Sequence, residues 1–254
     1  MAWEIVSNYY AGQGVVLMGP RDVAATGAAK AGGLFEVGNC SELKLSVNTS
    51  TVEHKETTTG ARAIDLRLTT EIKANLEVTI ENFNSKNLAQ AMRGKFASSV
   101  AGTVTTETVK CYLGSIMPLA HIRVSSVVVK KGAVTYVLDT DYSLNTEAGS
   151  IKFLEGGTIV EGDEVSIAYS YEAQELVHGL TEPMQTIWLR FEGLNSADTN
   201  KPVVLDIFKF STDPLKELEL IGDKVNAFQL AGTVLADLSQ GSGVSRYWRM
   251  KLLA

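Results

Sequence analysis

The stretch AIDLRLTTEIKANLEVTIE, residues 63–81, separates its side chains by parity. Ile64, Leu66, Leu68, Thr70, Ile72, Ala74, Leu76, Val78 and Ile80 fall on one side. Asp65, Arg67, Thr69, Glu71, Lys73, Asn75, Glu77, Thr79 and Glu81 fall on the other. A strand repeats every two residues and a helix every 3.6, so only a strand keeps the two sets apart for this long. At ~3.3 Å per residue it would run beyond ~55 Å, so a bend or bulge is expected near Thr70–Asn75. One face belongs to a core, and the other is polar and of mixed sign.

Upstream, SELKLSV (41–47) alternates in the same way, with Leu43, Leu45 and Val47 on one side. Then NTSTVEHKETTTGAR (48–62) loses the apolar pattern except at Val52. It reads as a long loop, and loops of this length are usually functional or disordered. Downstream, Asn84 or Ser85 can cap a short helix over KNLAQAMR, with Leu88, Ala91 and Met92 on one face and Gly94 ending it. Such a helix would seal one open edge of a β-sandwich.

The rest of the chain is also strand-like. HIRVSSVVVKKG, TYVLDTDYSL, GSIKFLEGG and EVSIAYSYEA lie within 119–172, with turns at Lys131-Gly132, Ala148-Gly149, Gly156-Gly157 and Gly162-Asp163. TIWLRFEGLN and PVVLDIFKFS flank the polar hairpin loop SADTNK. ELELIGDKVNAFQLAGTVLAD continues with short strands broken at Gly222 and Gly232. After the flexible SQGSG (239–243), VSRYWRMKLL predicts an ordered end. Residues 1–38 are Gly- and Ala-rich, with one short apolar run, VVLMG, stopped by Gly19-Pro20. They read either as a loosely held terminus or as an arm that orders on a neighbouring subunit. Trp3, Tyr9, Tyr10 and Phe35 favour the arm.

Composition narrows the classes. The 254 residues carry 23 basic and 29 acidic side chains, a formal charge of −6, with 45% hydrophobic residues. That is globular composition with enough apolar mass for a core. The acidic balance argues against a nucleic-acid clamp, but not against a protein that nucleic acid slides past. No run approaches the ~18–20 apolar residues of a membrane helix. Glu4 stands where a signal peptide would be basic, so cytosolic synthesis is expected. Two cysteines, Cys40 and Cys111, make neither a disulfide framework nor a zinc site. Five prolines against 22 glycines, with many Thr and Val, fit a β-rich chain with glycine turns.

Motifs for chemistry are sparse. The three histidines, His54, His121 and His178, form no pair at metal-ligand spacing, and no nucleophile elbow or phosphate loop occurs. Asp139 and Asp141 have the D-x-D start of a calcium loop, but Leu144 replaces the required Gly and Ser150 the terminal carboxylate. Arg246, Arg249 and Lys251 interleave with Tyr247 and Trp248. That pattern can stack a base, but a terminal strand with one polar face explains it equally. No enzyme, cofactor or metal is expected.

The string GNCSELKLSVNTSTVEHKETTTGARAIDLRLTTEIKANLEVTIENFNSKNLAQAMRG, followed by TIWLRFEGLN, VVLDIFKF and a strand ending VLAD, resembles the tail tube proteins of long-tailed bacteriophages. The likeness covers roughly 39–112 and 179–238 and rests on the order of elements and the style of the loop. It implies two packed antiparallel β-sheets with one short flanking α-helix, the tail-tube fold. Six copies would form a ring, and rings would stack into a tube. Tape-measure protein and then genomic DNA would occupy the lumen, with tail-tip and tail-terminator proteins at the ends. The protein would be assembled in the host cytoplasm and reside in the virion tail, with no membrane insertion.

On this reading residues 1–38 are the assembly arm, 39–112 and 179–254 the tube domain, and 113–178 an inserted β module on the tube exterior. The lumen candidates are Asp65, Arg67, Thr69, Glu71, Lys73, Asn75, Glu77 and Thr79, a face that also suits plain solvent. Thr49, Val52, Glu53, His54, Lys55, Glu56 and Arg62 are candidates for a loop reaching the adjacent ring. Rival readings are a tube of a contractile or secretion apparatus, a tail terminator or decoration protein, and a carbohydrate-binding β-sandwich. The last needs an exposed aromatic platform, for which Tyr136, Tyr142, Tyr169 and Tyr171 are the candidates. Residues 111–178 hold four basic and nine acidic residues. Most of the excess acid therefore sits in the inserted module, and net charge says little about a channel.

Overall fold

From Ala74 to Ile80 the parity of the sequence is the parity of burial. Ala74, Leu76, Val78 and Ile80 are buried, while Asn75, Glu77 and Thr79 are half-exposed. The structure, a computed structural model, describes residues 9–25 and 27–253. In chain order the first strands are β1 (Gly12–Pro20), β2 (Phe35–Glu36), β3 (Cys40–Lys55) and β4 (Ile64–Ile80), followed by helix α1 (Ser85–Ala91) and β5 (Lys95–Ser99). Then come β6 (Gly102–Lys110), β7 (Ile116–Pro118), β8 (Val124–Lys131), β9 (Val134–Thr135), β10 (Tyr142–Asn145), β11 (Ser150–Phe153) and β12 (Glu164–Tyr171). The last are β13 (Gln174–His178), β14 (Thr186–Asn195), β15 (Lys201–Thr212), β16 (Phe228–Val234) and β17 (Trp248–Leu252). The chain is all-β with a single α-helix among the described residues. It divides into two units, one up to Lys95 and from Val177 onward, the other Phe96–Leu176.

In the first unit the strands run β2-β1-β14-β15-β16-β4-β3, with β17 also on β15. The two expected layers are one continuous sheet that turns at β15. The first half of β15 pairs β17 and its last three residues pair β16. The core is enclosed by the coil and includes Met18, Leu76, Leu189, Ile207, Phe210 and Leu230. The expected hairpin of TIWLRFEGLN with PVVLDIFKFS is β14–β15, paired from Thr186↔Ser211 to Asn195↔Lys201.

The reading of residues 1–38 as an arm is corrected from Gly12 onward. β1 pairs β14 over nine positions, Val16 and Met18 enter the core, and Phe35 packs half-buried against it. Glycine here marks close approach rather than looseness. A Cβ on Gly14 would stand 2.3 Å from the carbonyl oxygen of Glu192. The expected strands between 213 and 227 are also absent, and β16 alone forms. Pro214 has no N–H to give a ladder, and Leu220, Ile221 and Val225 in this segment are exposed.

Helix α1 follows its signals with one change. The Asn84 side chain caps it by accepting from Asn87 N. At the other end Arg93 takes the left-handed conformation (φ 48) and Gly94 N donates to Ala89 O at 2.7 Å. Gly94 serves a different purpose, because a Cβ there would lie 2.1 Å from the His178 carbonyl. Asn87 is buried and its Nδ2 donates to Val37 O and Asn82 O, tying the helix to the sheet.

The second unit has a four-stranded sheet, β6-β12-β8-β9, and a three-stranded one, β10-β11-β7. Phe153, Ile151, Ile167, Val129 and Tyr169 fill its core. The sequence reading began this module at 113. β6 pairs β12 from Glu164↔Lys110 to Tyr171↔Gly102 and buries Val109 in the module's core. Residues 96–112 therefore belong to it.

Candidate functional site

The base of the β3–β4 hairpin presents a polar surface opposite the core. Glu77 lies between Lys44 on β3 and Ala231 on β16, and Asn75 between Ser46 and Thr233. Thr79 lies between Glu42 and Gln229. Glu42 and Glu77 flank Lys44 here and β16 adds only uncharged residues, so this face is hydrated without being strongly anionic.

From Lys73 back to Ile64 both faces of β4 are exposed, because the coiled sheet ends and the hairpin continues as a two-stranded ribbon. The pairing changes register at the expected place. Ser50 faces Glu71 but Thr51 faces Thr69, so Thr70 is the extra residue of a bulge, and its Oγ1 donates to Ser50 O at 3.1 Å. One inserted residue moves every later side chain to the other side of the ribbon. β3 shows no such insertion here, so Ser46, Asn48, Ser50, Val52 and His54 stay on one side. Their partners there are Asn75, Lys73 and Glu71 before the bulge, then Leu68 and Leu66 after it.

The eight lumen candidates therefore do not share a face. Glu71, Lys73, Asn75, Glu77 and Thr79 do. Thr69 and Arg67 lie on the opposite side, where Arg67 Nε is 3.3 Å from Thr51 Oγ1 and 3.8 Å from Glu53 Oε1. Asp65 sits at a second register shift near the tip, with Oδ1 2.7 Å from His54 Nδ1. Leu66 and Leu68, which the parity assigned to a core, are 49% and 55% exposed, and Val52 beside them 58%. Val47 and Ile72 are exposed on the other side, before the bulge. A two-stranded ribbon alone is marginal in water. This one also exposes apolar side chains on both sides, the kind of surface that serves as a contact.

The expected loop 48–62 is mostly strand. β-Branched Thr49, Thr51 and Val52 suit the ladder, and β3 runs to Lys55. Thr49, Val52, Glu53, His54 and Lys55 are thus ribbon residues. Only 56–63 turn, around the Glu56 carboxylate, which accepts from the backbone N–H of Thr58, Thr59 and Arg62 and from both threonine hydroxyls. Arg62 closes the turn in the left-handed region (φ 51). The hydrogen bonds from the Thr59 side chain and backbone, with those of Thr58, hold the Glu56 carboxyl down at about 2. A depressed folded value means that the turn is fully supported above the ordinary Glu value of about 4.3 and loses that support as pH falls through about 2. Amide resonances of Thr58 and Thr59 followed by NMR should move together over that window. In Glu56→Gln they should be flat.

The remaining candidates resolve into structural roles. Trp3 lies outside the described residues, and Tyr9 and Tyr10 are exposed before β1. Asp141 is buried and accepts from Val137 N, Thr158 N and Thr158 Oγ1 at 2.7–2.8 Å. The backbone bonds from Thr158 and Val137 keep its carboxyl below the usual range. Its oxygens serve the fold, and no group of three His, Cys, Asp or Glu suited to a metal occurs among the described residues. Both cysteines are free, and burial pushes each thiol up to about 11. Tyr136, Tyr142 and Tyr169 are buried. Tyr171 is stacked on His121 at 3.7 Å, and His121 Nδ1 lies 3.0 Å from the Tyr169 hydroxyl, which donates to Glu107. These rings do not make the exposed platform that a sugar needs. Arg249 and Lys251 lie on β17 beside the buried Asp206, with Arg249 Nη2 3.1 Å from its Oδ2, as a terminal strand with one polar face requires.

Sequence reasoning missed one buried cluster. Asp237 meets Arg21 Nη2 at 2.7 Å and Lys30 Nζ at 3.9 Å, all three almost fully enclosed. Nothing in the spacing of residues 21, 30 and 237 announces it. No curated protein matches the chain. The chain belongs to the family described as protein of unknown function UCP028589, which it matches over residues 9–251.

Proposed function

We propose that this member of a family of unknown function is a structural protein whose first unit self-assembles into the tail tube of a long-tailed bacteriophage. The observation that carries the reading is the β3–β4 ribbon, which leaves its own core and exposes Val52, Leu66 and Leu68 on one side. In a tube of stacked rings that stripe is covered by another copy. The free outer edge of β3 adds to the support: no strand pairs with it among the described residues. Ring closure would pair such edges between copies and remove the hazard they carry.

In a ring of six, the surface of Glu71, Lys73, Asn75, Glu77 and Thr79 is the best candidate for the channel wall. Mixed charge there would let DNA and a tape-measure protein pass without being held. Tail-tip and tail-terminator proteins would bind the tube's ends, and the mature location would be the virion. No helix among the described residues is long and apolar enough to cross a membrane. Electron microscopy of the purified chain over a range of concentrations tests the proposal. Six-fold rings or tubes are expected. A protein that stays monomeric at every concentration would sink it.

A further inference from the structure

Where α1 ends, a small pocket of about 20 Å³ lies between the helix, residues 182–185 and the end of β15. That is room for a single water-sized guest. Arg93 and Thr212 both line it. Thr212 is 1% exposed, and its Oγ1 has no hydrogen-bond partner among the described residues. Arg93 Nε is buried and equally without one. The two residues are held side by side, because Arg93 Nη2 donates to the Thr212 carbonyl oxygen at 2.6 Å. Arg93 also stands in the left-handed region (φ 48), which a residue with a Cβ keeps only where its surroundings fix it.

The surroundings decide what kind of guest fits. A buried donor is costly unless something accepts from it, and a guanidinium can only donate. The nearby carbonyls are already engaged. Every carbonyl oxygen from Leu88 to Arg93 accepts a backbone N–H, those of Ala91, Met92 and Arg93 from Leu215, Leu180 and Glu182. Glu182, the carboxylate in the lining, has Oε1 2.7 Å from Lys95 Nζ and accepts from Gln185 Nε2 at 3.4 Å on Oε2. Lys95 thus balances Glu182, and the Arg93 charge is left for the pocket. A cation would need free oxygens there. The pocket offers two buried donors instead, one of them charged.

We propose that this pocket binds a monatomic anion, chloride being the common one, through Arg93 Nε and Thr212 Oγ1. The ion accepts the two charge-assisted bonds and ties the end of α1 to β15. A helix of seven residues has little stability of its own, so the stability of the first unit follows chloride by mass action. The site is independent of tube formation. All three tryptophans lie in the first unit, so their fluorescence follows its melting. At constant sodium, replacing gluconate, which is too large for the pocket, with chloride should raise the melting temperature of the full chain by roughly 5 °C between about 1 and about 300 mM. Thr212→Val should abolish the rise, because valine fills similar space without the donor. No difference between the two salts in the parent, as for a pocket that holds water only, would overturn the proposal. An equal rise in Thr212→Val would do the same. Should that variant fail to fold, bromide-soaked crystals of the parent decide: an anomalous peak between Arg93 Nε and Thr212 Oγ1 supports the site, and its absence overturns it.

Discussion

Replacing Leu66 and Leu68 together with aspartate should leave the first unit folded and abolish self-assembly. Both side chains are about half exposed in the subunit, and neither belongs to its core. Exposed substitutions of this kind change stability by about 0.5 kcal/mol or less each. In an assembled contact the same residues lose their remaining water. Fully burying a leucine is worth roughly 1.5–3 kcal/mol, so the second half of each contributes about 1 kcal/mol. A carboxylate in that place adds a desolvation cost on top. Two positions per copy then raise the concentration needed for assembly by at least about 100-fold. Sedimentation and electron microscopy read the assembly, and circular dichroism reads the fold. Glu53→Gln with Arg67→Gln, on the other side of the ribbon, should stay within about threefold of the parent. Assembly of the double aspartate variant at the parent's concentration would show that the ribbon stripe is not the contact.

Asp237→Asn should lower the melting temperature by on the order of 10 °C. The side chain is 4% exposed and lies among Arg21 and Lys30, themselves 8% and 7% exposed. It accepts from Ser239 Oγ at 2.6 Å and Gln240 Nε2 at 3.1 Å, while Lys30 Nζ also donates to Ser239. Asparagine keeps the volume and removes the charge, leaving two cations enclosed without a counter-ion. Breaking a buried pair this way costs about 3–5 kcal/mol, and at this size each kcal/mol moves the melting point by roughly 2–4 °C. Burial pushes the Asp237 carboxyl up, but the hydrogen bonds from Ser239, Arg21 and Gln240 outweigh it and hold the group well below the carboxylate range. Its contribution is therefore complete above about pH 4 and lost progressively below. The gap between variant and parent should narrow as the solution is acidified past that point. A shift under about 2 °C at neutral pH would refute the assignment.

Much of the fold was legible because it depends on neighbours in the chain. Asn84 caps α1, SADTNK turns between β14 and β15, and the glycine pairs of 119–172 fall at turns. The bulge was anticipated from the length of the alternating stretch, and Thr70 supplies it. β1 was hidden because its glycines look like looseness until Glu192 is seen against Gly14. β3 was cut short because Thr, Ser and Asn carry strand geometry without an apolar pattern. β6 was assigned to the wrong unit because pairing with β12, some sixty residues on, decides where it belongs.

The candidate site divides in the same way. That residues 63–81 form a strand with two chemically distinct sides follows from the sequence alone, since alternation is a property of adjacent residues. Which way each side faces does not follow. It depends on where the core of the first unit stops, near Ala74, and on where one extra residue enters the ladder, at Thr70. C-terminal to Thr70, Ala74, Leu76, Val78 and Ile80 line the core. N-terminal to it, Leu66 and Leu68 cross to the polar side and meet water, because a period of two turns a single insertion into a reversal. The tertiary structure thus turned part of a strand face read as core into an exposed apolar surface.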